Sequence, residues 1–293
     1  MFNMKLGKLA AAILLVAGTP AGFAAETDFD AVMITAQKVA GNVTMLQGNG
    51  GNIGISMGDD GVLMIDDQFA PLSDKIKAAI MELGGSLPKF LLNTHWHGDH
   101  TGGNENFADS ATIIAHDNVR LRLADPANQR VPKALPVITF ADGIAVHFNG
   151  EEIRLVHLPH GHTDGDAAVW FTGSNVIHMG DEYVVGGFPF IDLNSGGSIE
   201  GLLENHERLA AILPNDIRII PGHGPLSTKA EMAAWIAKVR TAAQIVIDQK
   251  TAGKVLADVI AQGLPAEYDS MGTGFINGEA FIRAVYTSYG STP

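Results

Sequence analysis

The sequence predicts an α+β fold, an αβ/βα four-layer sandwich in which two packed sheets carry helices on their outer faces. Short β-type runs, a helical pattern and a further strand occur in that order twice along the chain, and clusters of His, Asp and Gly sit at the strand ends. No short-period repeat or low-complexity linker divides the halves, so both sets of strands are expected to share one core.

Taken in order, alternating runs at 42–46, 53–57 and 62–66, separated by glycine-rich turns, predict a meander. Apolar residues at helical spacing over 71–83, with Ser73 and Asp74 as helix-opening residues, predict a helix. A strand over 89–93 leads into a His-rich segment, followed by a short helical start at 103–107 and a strand over 112–115. The second half reads as strands near 137–140, 144–148, 153–158, 167–171 and 176–179, a helix over 198–213, a strand over 217–220 and a long helix over 229–249. In the tail 251–293, residues 280–286 read as helix and the glycine-rich stretch around Met271 and Gly272 as loop.

Residues 1–24 read as a secretory signal peptide: Lys5 and Lys8 with no acid, an apolar run over 9–16, then small residues, with Gly22 and Ala24 placed for cleavage and Glu26 and Asp28 following. The apolar run is shorter than the roughly 20 residues of a spanning helix, so a membrane anchor is disfavoured. Residues 25–293 are then expected to be a single domain, periplasmic or secreted, with no membrane attachment after cleavage. The chain has no Cys, which excludes a disulfide framework and leaves a conventional apolar core to stabilise it. A hydrophobic content of 46% suits such a core, and a net charge of −13 disfavours nucleic acid as a partner. A small-molecule substrate is expected and no obligate protein partner is inferred.

The segment Thr94-His95-Trp96-His97-Gly98-Asp99-His100 is the strongest chemical signal. Residues two apart in an extended segment point the same way, so His95 and His97 can grip one ion while Trp96 turns into the protein. Asp99 and His100 lie further on, displaced enough to reach a second ion. Ligand-type residues also end three later strands: His160-Gly161-His162-Thr163-Asp164-Gly165-Asp166, His178-Met179-Gly180-Asp181 and Pro221-Gly222-His223-Gly224. Read from the residues alone, His160 competes with His162, Asp181 is equally suited to capping a turn, and His223 to an ordinary loop. His116, His147, His157, His178 and His206 have no second ligand at useful spacing.

The order of these motifs resembles that of the metallo-β-lactamase superfamily, over nearly the whole of 25–293. The resemblance implies that His95, His97 and His162 hold a first Zn2+, that Asp99, His100 and His223 hold a second, and that Asp181 bridges them, giving two zinc ions per chain. His162 is preferred to His160 because Gly161-His162-Thr163 matches the family motif. Imidazole and carboxylate donors suit zinc, and two such ions would activate a shared water. Asp99 would orient it and pass a proton to the leaving group.

Two departures bear on substrate. Enzymes of the first β-lactamase subclass carry Cys where this chain has Asp181, and a substrate-gripping Lys where it has Val184. The bridging Asp is typical of glyoxalase II and lactonases. Asp164 and Asp166 add negative charge near the site. Asn194 lies on the loop where first-subclass enzymes place an oxyanion-contacting Asn, and reads equally as a turn residue before glycines. The leading expectation is a binuclear zinc hydrolase opening a cyclic amide or ester, with β-lactams the best named substrate and antibiotic resistance its consequence. Lactone or thioester hydrolysis, iron-dependent persulfide dioxygenation, and a periplasmic metal-binding protein without turnover are the alternatives.

Overall fold

A computed structural model describes residues 27–290, so the signal peptide expected over 1–24 lies outside the described residues. The chain runs through β1 (Thr35–Ala40), β2 (Val43–Gln47), β3 (Ile53–Gly58), β4 (Gly61–Ile65), α1 (Ser73–Glu82), β5 (Phe90–Leu92), α2 (Gly98–Thr101), α3 (Asn104–Phe107), β6 (Thr112–His116), α4 (Asp117–Leu123) and β7 (Ile138–Phe140). It continues with β8 (Gly143–Phe148), β9 (Glu151–Leu158), β10 (Asp166–Phe171), β11 (Val176–His178), α5 (Ile199–Ile212), β12 (Arg218–Ile220), β13 (Ser227–Thr228), α6 (Lys229–Thr251), α7 (Leu256–Gln262) and α8 (Gly278–Ser288).

Strands β1 to β7 form one sheet in sequence order, and β13-β12-β11-β10-β9-β8 form the other. In each, a meander passes into parallel pairing: β4 with β5 and β5 with β6 in the first sheet, β11 with β12 in the second. Strand β4 shows why the sheets stack. Leu63 and Ile65 face the second sheet, whereas Val62 and Met64 face the α1 side, and all four are buried. Apolar residues on both faces of a period-2 strand need cover on both sides. Between the sheets, Val43, Met45, Leu92 and Ile114 meet Ile153, Leu155, Val169 and Phe171. Outside, Leu72, Ile76 and Ile80 of the α1 region cover the first sheet, and Leu202, Leu209, Val239, Val246, Phe281 and Val285 cover the second. Truncating one such buried Leu or Ile to Ala typically costs about 2–5 kcal/mol. The four layers are therefore helix, sheet, sheet, helix.

Several local readings differ from the structure. Residues 138–140 belong to the first sheet, where β7 extends the parallel row beside β6, so the halves divide after β7 rather than before it. The α1 N-cap is Leu72, without a side-chain cap, and Ser73 and Asp74 lie inside the first turn. Met271 and Gly272 fall in a 3-10 helix, Ala266–Thr273, and α7 precedes it. Strand β1 and helix α4 carry too weak or too short an apolar pattern to be read locally: β1 is mostly exposed and α4 has seven residues. Helix α6 starts on a capping box, in which Thr228 Oγ1 accepts from Glu231 N while Glu231 accepts from Thr228 N.

Candidate metal centre

Strand ends deliver the ligand-type residues to one edge shared by the two sheets. His95, His97, Asp99 and His100 follow β5, His162 lies between β9 and β10, Asp181 follows β11 and His223 follows β12. They fall into two sets, His95, His97, His162 and Asp181, and Asp99, His100 and His223, the donor atoms of each lying within 4.8 Å of one another. Asp181 stands between the sets. Its Oδ2 is 3.9 Å from His95 Nε2 and 3.8 Å from His162 Nε2, and its Oδ1 is 3.2 Å from His100 Nε2 and 3.3 Å from His223 Nε2. Asp99 Oδ2 lies 3.3 Å from His223 Nε2.

Metal ions fit this arrangement. Tetrahedral ligands about 2.0–2.1 Å from an ion stand roughly 3.3 Å apart. His95 Nε2 and Asp181 Oδ1 are buried and have no hydrogen-bond partner, which is costly unless a cation faces them. The charges agree. Burial, then His100 and His162, hold His95 well below the usual histidine range. His100 rises well above it despite burial because Asp181 and Asp66 face it, and His223 is pulled up to about 9 against burial by Asp181. Burial would raise the Asp181 carboxyl, but His100 and His223 hold it well below its ordinary value. Without an ion, protons on His100 and His223 supply the positive charge that the carboxylates require, and a bound metal would replace them.

The outward nitrogens are held in place. His95 Nδ1 is 3.0 Å from Thr94 Oγ1, His97 Nε2 3.0 Å from Asp192 Oδ2, His100 Nδ1 2.7 Å from Asp66 Oδ2 and His162 Nδ1 2.7 Å from the Phe190 carbonyl. Thr94 in turn donates to Asp66 through both its backbone N and its Oγ1, at 2.8 and 2.7 Å. Such partners fix ring orientation and tautomer. Asn52 fastens the His223 loop by donating from Nδ2 to the Pro221 and Gly224 carbonyls, and buried His178 donates to the Asn52 carbonyl at 2.9 Å. Gly222 permits the approach of Asp181, since a Cβ there would stand 2.1 Å from Asp181 Oδ1.

Not every expected residue joins the centre. Asn194 is exposed and lines a neighbouring cavity with Leu193, Ile276 and Arg283, because Asp192 caps the turn by accepting from Asn194 N. It makes no part of the wall above the ligands. His160 bonds the Gly196 carbonyl through Nδ1 at 3.0 Å and has a positive φ of 54°. Asp164 is held by Arg122 through two hydrogen bonds of 2.9 and 2.6 Å, and Asp166 by Thr163, so neither carboxylate faces the site as the sequence suggested. Asp66, Asp192 and Asn52 were not marked by the sequence; they lie far along the chain from the residues they hold, and no local spacing identifies them.

A cavity of about 990 Å³ opens above the ligands. His97, Asp99, Asp181 and His223 form its floor, and Phe69, Val184, Val185, Phe188, Phe190, Phe275 and Ile276 much of its wall. Among the described residues no Lys or Arg lines it.

Comparison with known proteins agrees with the geometry. A hydroxyacylglutathione hydrolase of Rhodospirillum rubrum is 32% identical over 154 residues, covering 52% of this chain and 54% of that protein, so the chain spans about half the length of this curated relative. A metallo-beta-lactamase from Pontibacter korlensis superposes with a TM-score of 0.61 at 17% identity, over 70% of this chain and 98% of that one. A double mutant of the sec-alkyl sulfatase PisA1 superposes with a TM-score of 0.72 at 13% identity, over 89% of this chain and 51% of that one. At these identities the structural likeness is one of fold. A family model described as the metallo-beta-lactamase superfamily matches residues 39–223, which include every residue of the two ligand sets. The chain therefore belongs to the metallo-beta-lactamase superfamily, and its donor set is that of a metallo-hydrolase.

Proposed function

We propose that the chain is a binuclear zinc hydrolase that cleaves an ester or lactone lacking a carboxylate anchor. The observation that carries this reading is the wall of the cavity: aromatic and aliphatic side chains surround the ligands, and no Lys or Arg lines it among the described residues. Zinc, when bound, supplies a water whose pKa falls toward about 7 and positive charge facing the developing oxyanion. The chain's own residues do the rest. His95, His100 and His162 are buried beneath the floor and hold their rings rigidly, while Asp99, 27% exposed, is the carboxylate placed to take a proton and return it to the leaving group. The apolar walls hold the substrate and exclude water.

A β-lactam is disfavoured within the same chemistry. Its carboxylate finds no cation here, and a missing charge-assisted contact typically costs about 1.5–3 kcal/mol, one to two powers of ten in binding. Thioester hydrolysis is a second reading, favoured by the likeness to hydroxyacylglutathione hydrolases. The same wall points to a thioester of an apolar thiol rather than of the anionic glutathione. Export is proposed from the composition of residues 1–24, with a mature start near Ala25.

The test is metal analysis of purified protein with a panel of aryl esters, lactones, thioesters and β-lactams. About two zinc ions per chain are expected, with uncharged esters or lactones cleaved at least tenfold faster than carboxylate-bearing β-lactams. Equal or faster β-lactam turnover overturns the substrate class, one iron in place of zinc selects the dioxygenase reading, and metal binding with no turnover reduces the chain to a metal-binding protein.

A further inference from the structure

We propose that Phe275 and Phe190 form an apolar clamp that selects substrates carrying an aryl or medium-chain alkyl group, and that Phe275 is the residue that sets this preference. The inference rests on the reading of the cavity above the ligands as the acyl-substrate site. Phe190 stacks on the ring of His97, with centroids 5.7 Å apart and planes 23° from parallel, so it stands directly beside the metal centre. Phe275 meets Phe190 edge-on at 5.8 Å and 82°, and both line the cavity. Phe275 is nevertheless 89% exposed. A phenyl ring held in water at the mouth of an apolar cavity gains most when a ligand covers it.

The chain is anchored on both sides of it. Phe188 N donates to the Met271 carbonyl at 3.0 Å, joining the cavity's near wall to the segment before Phe275, and the Phe188 ring stacks on Phe281 at 4.3 Å, joining it to α8 after Phe275. Trp235 Nε1 donates to the Gly187 carbonyl at 2.8 Å, and Asn277 caps α8 by accepting from Ala280 N at 2.8 Å. Between these anchors the short stretch 273–276 presents Phe275 over the floor. The stretch lies beyond the family match, which ends at residue 223. The floor and Phe190 therefore come from the family's shared part of the fold, and Phe275 from the C-terminal helical part of this particular chain.

The experiment uses two hydroxamates, which chelate a metal centre and carry no ester or thioester to cleave: acetohydroxamate and 4-phenylbutanohydroxamate, titrated by calorimetry into zinc-loaded protein. The wild type is expected to bind the phenylbutano compound at least tenfold more tightly, Phe275→Ala to remove most of that preference with acetohydroxamate unchanged, and Phe275→Leu to retain part of it. An unchanged ratio in Phe275→Ala, no preference in the wild type, or no binding of either compound overturns the clamp. So does a Phe275→Ala variant that alters the oligomeric state by light scattering while keeping the ratio, since Phe275 then serves a contact between copies. A Phe275-dependent preference without zinc-dependent ester turnover sinks the hydrolase reading alone, and turnover with an unchanged ratio sinks the clamp alone.

Discussion

His97 turns Nδ1 toward the candidate metal centre, because its Nε2 is bonded to Asp192 Oδ2 at 3.0 Å; Nδ1 lies 2.8 Å from His162 Nε2. Asp192 is itself held by Ser195, and despite burial its carboxyl is kept at about 2 by His97 and Ser195, so it is ionised at any working pH. Removing it frees the His97 ring to rotate. Asp192→Ala is expected to lower affinity for the ion of the first set about 10–100-fold, read by competition with a chromogenic chelator. An affinity equal to wild type means that packing against Phe190 alone orients His97.

Among the described residues, Asp181 is the one side chain whose two oxygens face different ligand sets, whereas His160 faces a backbone carbonyl. Asp181→Ala should therefore reduce bound zinc toward one ion per chain and lower kcat by at least a hundredfold. His160→Ala should keep full occupancy and most of kcat. Equal losses in stoichiometry from the two substitutions would overturn the bridging role.

These two residues also show what is legible in a sequence of this kind. The ligand sets come from short strings at strand ends, where an i, i+2 pair such as His95 and His97 declares its shared direction through the strand period. The groups that orient them do not. Asp66 reaches His100 and Asp192 reaches His97 only because β4, β5 and the turn before α5 converge at one sheet edge. Asn194 looked suited to an oxyanion, but its neighbour Asp192 caps the turn and leaves it facing a different cavity. The sandwich itself was readable from alternating strands, while β7 was assigned to the wrong sheet because pairing partners follow parallel crossovers that a local pattern does not encode.

Buried His206 makes the fold acid-sensitive. Its Nε2 donates to the Glu182 carbonyl at 2.7 Å, its Nδ1 has no partner, and burial, with Arg240 adding to it, lowers its pKa to about 4. In the unfolded chain the value is about 6.5. Above that pH both states are neutral and the stability is fully present. Below it the unfolded chain takes up a proton that the folded one refuses, so stability falls as pH drops from about 6.5 to about 4, by about 3 kcal/mol. His116 and His157, stacked at 3.7 Å and also lowered by burial, shift in the same direction. Urea unfolding of wild type and His206→Gln between pH 7 and pH 4 should show a shallower decline in the variant. Parallel curves would remove His206 as a source of the slope.

Val184 tests why a carboxylate-bearing β-lactam is disfavoured against an uncharged substrate. It lines the cavity, pairs in an isolated parallel bridge with His223, and stands where the resemblance to the first β-lactamase subclass would place a Lys. A Lys side chain is long enough to carry its ammonium into the cavity while its stem covers the apolar wall. Val184→Lys should therefore lower KM for a carboxylate-bearing β-lactam by about tenfold, through one charge-assisted contact, and leave an uncharged lactone or aryl ester within about twofold. Val184→Met, similar in length and uncharged, should change neither. Zinc content is measured first in both variants, since a cation beside His223 disfavours a second cation there. With full occupancy, an unchanged β-lactam KM in Val184→Lys means that the missing cation does not limit β-lactam binding, and the preference for uncharged substrates must then come from the shape of the aromatic wall alone.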